Sequence, residues 1–351
     1  MLIRARLAAT TRRKLIILVI ALGFVLAACG GETEELVERP GEGTTVSMAR
    51  ANWDTGYFQA EVYRQLLGEL GYEITDPADA EMAPDVFYPL LGSGDFDFWA
   101  NGWFPIHDTF ISDAAAVSVI GNQIPAGGLQ GFFIDAATAD EFDIKRLDDI
   151  ADDVALAQVF DLDGDGRANL MGCNEGWGCF EIINRTIEAN DWGGTIQQVS
   201  SDYNQLWDDT VARFQAGEPV LAYTWSPSAY IAELVFGDDI VWMSLEQPLP
   251  EQVGPALLPP SHCPGQPCET GFATADIRVA ANTAFINENP AAARLLEQVG
   301  FNLIDIALQN LKMRAGEDTP DDIARHAAEY IAENRGVMDL WLDEARRAAT
   351  P

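Results

Sequence analysis

Positive charge is scarce in this chain. Of its 351 residues only 21 are Lys or Arg, against 55 Asp or Glu, for a net charge of −34. Five of the 21 (Arg4, Arg6, Arg12, Arg13 and Lys14) fall within residues 1–28, which hold no acidic residue, so the remainder sets 16 basic residues against 55 acidic ones. A surface this acidic repels nucleic-acid phosphates and anionic lipid, which excludes DNA and RNA as natural partners. It stays soluble in concentrated salt, where screening removes the self-repulsion, and so suits a salt-tolerant host.

Histidine is scarcer still, with only His107, His262 and His326 available as imidazole bases. No G-x-S-x-G, H-E-x-x-H or P-loop motif occurs, which leaves a secreted enzyme as the weakest reading. No internal repeat is visible. Long apolar runs are missing apart from Leu15 to Leu26, which is too short to span a bilayer comfortably. With the basic residues before it, that run reads as the core of an export signal over residues 1–28. It ends in Leu26-Ala27-Ala28-Cys29, which resembles the lipobox of bacterial lipoproteins. That resemblance implies cleavage before Cys29, lipidation of Cys29, and an extracytoplasmic, membrane-anchored location. Residues 29–44, rich in Gly and Glu, read as a flexible tether.

Setting Cys29 aside leaves Cys173, Cys179, Cys263 and Cys268. Two close pairs in an exported chain predict two local disulfides. The spacings C-x5-C and C-x4-C suit zinc poorly, and only His262 is near enough to assist, so no metal is expected. Asp161-Leu162-Asp163-Gly164-Asp165-Gly166 resembles the opening of a calcium loop. Its twelfth position is Gly172 where an EF-hand needs a bidentate Glu, so a carboxylate-stabilised turn is expected instead.

Past the tether, strand and helix patterns alternate, which predicts an α/β fold with mainly parallel sheets. Strands are expected at Thr44–Ala51, Tyr72–Thr75, Phe96–Ala100, Leu129–Ile134, Thr195–Val199, Val220–Tyr223 and Ile277–Ala281. Helices are expected at Phe58–Leu70, Pro84–Leu91, Ala137–Phe142, Glu181–Ala189 and Tyr203–Ala216, and over most of the chain from Pro290 onward. Trp103, Trp177 and Trp225 are placed on loops beyond strand ends, where open α/β sheets bind ligands. Trp99, Trp192, Trp207, Trp242 and Trp341 read as core.

The most informative stretch is Met171-Gly172-Cys173-Asn174-Glu175-Gly176-Trp177-Gly178-Cys179. Two cysteines bracket a tryptophan held between glycines, and a helix pattern follows at once. The free N–H groups of Gly178 and Cys179 would open that helix and attract an anion. An aromatic wall beside an anion cradle suits a small zwitterion.

Phe160 to Leu170, leading into Gly172 to Cys179, closely resembles the periplasmic glycine betaine/proline betaine-binding proteins of ProU-type osmoregulatory ABC importers. So do Asn101-Gly102-Trp103-Phe104-Pro105-Ile106-His107-Asp108 and Tyr223-Thr224-Trp225-Ser226-Pro227. The likeness continues through Val279-Ala280-Ala281-Asn282 and Asn289-Pro290-Ala291-Ala292-Ala293, and so covers nearly the whole exported chain. It implies a two-lobed type II periplasmic-binding-protein fold with two crossovers at the hinge. The lobes expected are 45–125 with 237–351, and 126–236. It also implies a non-catalytic solute-binding role without cofactor, with an ABC permease as partner. Trp103, Trp177 and Trp225 would box the trimethylammonium group, while His107 and the amides of Gly178 and Cys179 would hold the carboxylate.

The chemistry agrees. A quaternary ammonium has no N–H to offer, so aromatic faces must select it, at about 0.5–2 kcal/mol each. Adding an amide-bound carboxylate makes a micromolar constant, about −8 kcal/mol, reasonable. Choline or carnitine is the alternative ligand, and a chemosensory lipoprotein the alternative role. The segment Ala51 to Tyr57 departs from the family pattern and makes Trp53 and Tyr57 further candidates. The Cys263–Cys268 turn reads as an addition.

Overall fold

The computed structural model describes residues 37–350. The expected signal, Cys29 and the tether up to residue 36 lie outside the described residues. Among the described residues, no helix is long and apolar enough to cross a membrane.

The first helix shows how local sequence sets the elements. Asp54 accepts the Thr55 N–H and opens helix Thr55–Glu69. Phe58, Val62, Tyr63, Leu66 and Leu67 recur at helical spacing and are buried. Gly71 then takes a φ of +94°, which ends the helix at little steric cost.

Nine strands of the described residues join in one sheet. Eight lie side by side in the order Glu81–Met82, Met48–Ala51, Phe98–Phe104, Ala275–Asn282, Val117–Asp135, Leu221–Ser226, Ala168–Met171 and Ile196–Val199. The ninth, Ile240–Trp242, pairs with the far end of Val117–Asp135. Thr45–Val46 and Glu73–Ile74 form a separate parallel pair.

The expectation of mainly parallel sheets is corrected. The flanks are parallel, Met48–Ala51 beside its two neighbours and Ala168–Met171 beside its own. The centre is antiparallel: Ala275–Asn282 runs against Phe98–Phe104 and against Val117–Asp135, which runs against Leu221–Ser226. Parallel pairs are joined through covering helices, whereas the central antiparallel pairs bring together strands distant in the chain.

Val117–Asp135, 19 residues long, belongs to both halves of the molecule. Its first part pairs with Ala275–Asn282, and residues 129–134 pair with Leu221–Ser226. Residues 240–242 pair with 133–135, Met243 N–H donates to the Phe132 carbonyl, and Phe272 packs on Phe132. The segment from about 240 to 272 therefore packs with the half containing residues 129–236. The chain joins the first half again at Ala275. Helices Pro290–Gln298, Leu303–Arg314, Pro320–Glu333 and Arg335–Ala348 complete that half. Tyr330 packs edge-on against Phe58, and Gln65 Nε2 donates to the Ala324 carbonyl.

Candidate functional site

A cavity opens between the halves. Trp103, Trp177, Trp225, His107, Gly178 and Cys179 all line it, together with Trp53, Tyr223, Gln130, Ile106 and Pro84. Tyr57 does not: its ring lies under the Arg50 guanidinium, 3.8 Å from the centroid, facing a neighbouring cavity.

Trp103 and Trp225 are not on loops, as the sequence suggested, but inside strands Phe98–Phe104 and Leu221–Ser226. Each strand runs a few residues further than its apolar core pattern, and the tryptophans fill its last turn toward the cavity. The Trp103 ring needs Gly128 beneath it, since a Cβ there would stand 2.6 Å from the indole. Trp53 follows strand Met48–Ala51. Trp177 stands in extended conformation as the N-cap of helix Gly178–Ala189. Cys173 and Cys179 are paired around it, with Cα atoms 6.4 Å apart.

The indoles meet at angles. Trp177 lies 5.3 Å from Trp53 at 69° and 5.8 Å from Trp225 at 80°. All four indole N–H groups are committed to the protein. Trp53 and Trp103 both donate to Asn101 Oδ1 at 2.9 Å, Trp177 donates to Asn52 Oδ1 at 2.8 Å, and Trp225 to Thr55 Oγ1 at 3.5 Å. What remains for the cavity is the ring π-systems, the surface that attracts a cation lacking N–H groups.

The other chemistry here is a set of donors. His107 is buried on the turn Ile106–Phe110. Its Nδ1 accepts the Trp103 N–H at 3.1 Å and lies 3.0 Å from the Tyr88 hydroxyl. A backbone donor at Nδ1 leaves the proton on Nε2. Burial lowers the His107 pKa from 6.5 to about 3, so the ring is neutral at physiological pH and acts as an Nε2–H donor. The N–H groups of Gly178 and Cys179, in the first turn of their helix, have no hydrogen-bond partner among the described residues. Gly178 sits so tightly on Ile106 that a Cβ would come within 2.7 Å of Cγ1. Only glycine lets this helix start approach the turn that carries His107.

Contacts between the halves surround the cavity. Besides Trp177–Asn52, Thr55 Oγ1 donates to the Pro227 carbonyl at 3.1 Å. Arg314 reaches from helix Leu303–Arg314 to Asp208 and to Glu233, both at 2.6 Å. Away from the site, the Asp161–Asp165 loop is held by its own carboxylates. Asp161 accepts the Gly164 and Gly166 N–H groups, which lowers its pKa, and Arg167 pairs with Asp165.

Tyr223 and Gln130 were not singled out from the sequence. Tyr223 could have been, since it lies two residues before Trp225 and so on the same strand face. Gln130 stands directly opposite Trp225 across the sheet, a register with no cue in the sequence.

Residues 44–333 match the model of the substrate-binding domain of ABC-type glycine betaine transport systems. The chain belongs to this family. It is 36% identical over 312 residues to the glycine betaine-binding periplasmic protein OusX of Dickeya dadantii, covering 88% of this chain and 92% of that one. The glycine betaine/proline betaine-binding periplasmic protein of Escherichia coli is 32% identical over 312 residues, with the same coverage. A solved glycine betaine, L-proline transporter binding protein from Borrelia burgdorferi superposes with a TM-score of 0.65 at 14% identity, over 87% of this chain and all of that one. The fold is thus an α/β two-domain fold related to type II periplasmic-binding proteins. The family is one of extracytoplasmic solute-binding components, not enzymes.

Proposed function

We propose that this protein captures glycine betaine, or a closely related quaternary ammonium osmolyte, and delivers it to an ABC permease for osmoprotection. The observation that carries this reading is the division of the cavity. Four indoles with their N–H groups tied elsewhere offer only faces, while partnerless N–H donors stand beside them. Trp103, Trp177 and Trp225, with Trp53 as a fourth wall, take the trimethylammonium head. Three such faces are worth roughly 1.5–6 kcal/mol. His107 Nε2–H and the amides of Gly178 and Cys179 take the carboxylate, in charge-assisted hydrogen bonds of about 1.5–3 kcal/mol each.

The packing of residues 240–272 supports moving the expected boundary at residue 237, so that the lobes in this reading are 45–125 with 273–351, and 126–272. Closure brings Trp53, Trp103 and His107 against Trp177 and Trp225, with Arg314 bridging to Asp208 and Glu233. The Cys173–Cys179 disulfide preorganises Trp177 and the two amides, and Cys29 carries a lipid anchor. Membrane fractionation of wild type against Cys29→Ser tests the anchor: release of the variant supports it, and equal partition refutes it.

Calorimetric titration against glycine betaine, proline betaine, choline, carnitine, ectoine and proline tests the function. Micromolar binding of a betaine with quenched or shifted tryptophan fluorescence is expected. Tighter binding of ectoine or proline than of any quaternary ammonium would overturn the reading.

A further inference from the structure

Gln130 is a cavity residue whose polar group has no role in the reading above. It lies on strand Val117–Asp135, directly opposite Trp225, and is 4% exposed. Its Oε1 accepts a hydrogen bond from the Tyr223 hydroxyl at 2.7 Å. Its Nε2 is buried and has no hydrogen-bond partner, although the residue lines the cavity. Buried side-chain donors are normally satisfied, so a partnerless amide on a residue lining a ligand cavity points to a partner that arrives with the ligand.

A carboxylate offers about four lone-pair sites, and every one is an acceptor. The groups assigned so far supply three donors: the Gly178 and Cys179 amides and His107 Nε2–H. We propose that the Gln130 carboxamide is the fourth, a specificity-determining donor to the oxygen-bearing end of the ligand. Tyr223 positions it, since the hydroxyl on Oε1 fixes which end of the amide meets the cavity. The ligand class this favours is a zwitterion with a carboxylate, over a bare quaternary ammonium. The inference rests on the proposed function and deepens it.

A purely structural Gln130 would serve only to satisfy the Tyr223 hydroxyl, and two substitutions separate the roles. Gln130→Glu keeps an acceptor for Tyr223 but replaces the donor with an anionic oxygen. Gln130→Leu removes both. Two probes read the result in variants shown by thermal melting to be folded. Glycine betaine has head and carboxylate, and tetramethylammonium has the head alone. Gln130→Glu should weaken glycine betaine at least tenfold while leaving tetramethylammonium unchanged or tighter. Gln130→Leu should weaken glycine betaine about fivefold and tetramethylammonium by less than twofold. Unchanged glycine betaine affinity, or equal losses for both probes, overturns the role of Gln130 and leaves the proposed function standing. Failure of the wild-type protein to bind glycine betaine would overturn both.

Discussion

The chain contains two short loops bracketed by cysteines, and they do different things. Cys173–Cys179 and Cys263–Cys268 have similar spans, with Cα separations of 6.4 and 6.0 Å, and each lies near a buried tryptophan. In the second, Trp242 stacks flat on Phe236 with centroids 4.1 Å apart, and Gln266 Nε2 donates to the Cys263 carbonyl at 2.8 Å. That loop consumes its own polar groups and packs as a small core. In the first, the loop runs straight into a helix start, leaves two amides partnerless, and turns an indole toward a cavity. A cysteine clamp is a structural device in both places; the chemistry comes from what the clamp leaves unsatisfied.

Substituting the two tryptophans breaks the comparison most sharply. Trp242→Ala should lower stability by about 3–5 kcal/mol, the cost of a large buried aromatic, while the remaining folded protein binds glycine betaine as wild type does. Trp177→Ala should weaken binding at least tenfold, about 1.4 kcal/mol. Denaturant unfolding and calorimetry read the two effects, and undiminished affinity in Trp177→Ala would remove it from the cage.

Substituting the cysteines sharpens the contrast. Replacing either pair by serine should cost about 2 kcal/mol of stability, the entropy of closing so short a loop. Only loss of Cys173–Cys179 should also raise the Kd, by several-fold, because Trp177 and the amides must then be ordered on binding. Equal Kd values for the two double variants would place preorganisation elsewhere.

The carboxylate end is tested by choline, which keeps the cationic head and replaces the carboxylate with a neutral hydroxyl. Glycine betaine should bind at least tenfold more tightly than choline, and His107→Ala should narrow that gap. Equal binding of both ligands to the wild type would show that the amides and His107 do not read the anion.

The smallest effect concerns pH. With its pKa lowered by burial to about 3, His107 should show no protonation by NMR between pH 8 and 5. The unfolded chain takes up that proton near pH 6.5, so the stability contribution of the neutral ring is complete above pH 6.5. It is lost as pH falls toward 3. A His107 resonance titrating near pH 6.5 in the folded protein would contradict the buried, neutral assignment.

Much of the site was legible because its residues sit where local chemistry speaks. Glycines around Trp177 signal a turn, the helix pattern after Cys179 signals free amides, and Trp103 and Trp225 end apolar runs. Of the long strand only the stretch Leu129–Ile134 was legible. Val117–Asp135 contains Gly121, Pro125, Gly127 and Gly128, which read locally as breakers, whereas here they let a strand bend across two halves and admit the Trp103 ring. Missing its first part and its partners hid the antiparallel centre of the sheet and the register that sets Gln130 opposite Trp225. The segment from about 240 to 272 is largely irregular, and its place is decided by pairing with residues far away in the chain.

Val117–Asp135 carries ladder hydrogen bonds in both halves, so one unbroken strand ties the two parts of the sheet together. Heat should therefore meet the two halves as one body, and two resolved transitions in a calorimetric scan would show otherwise.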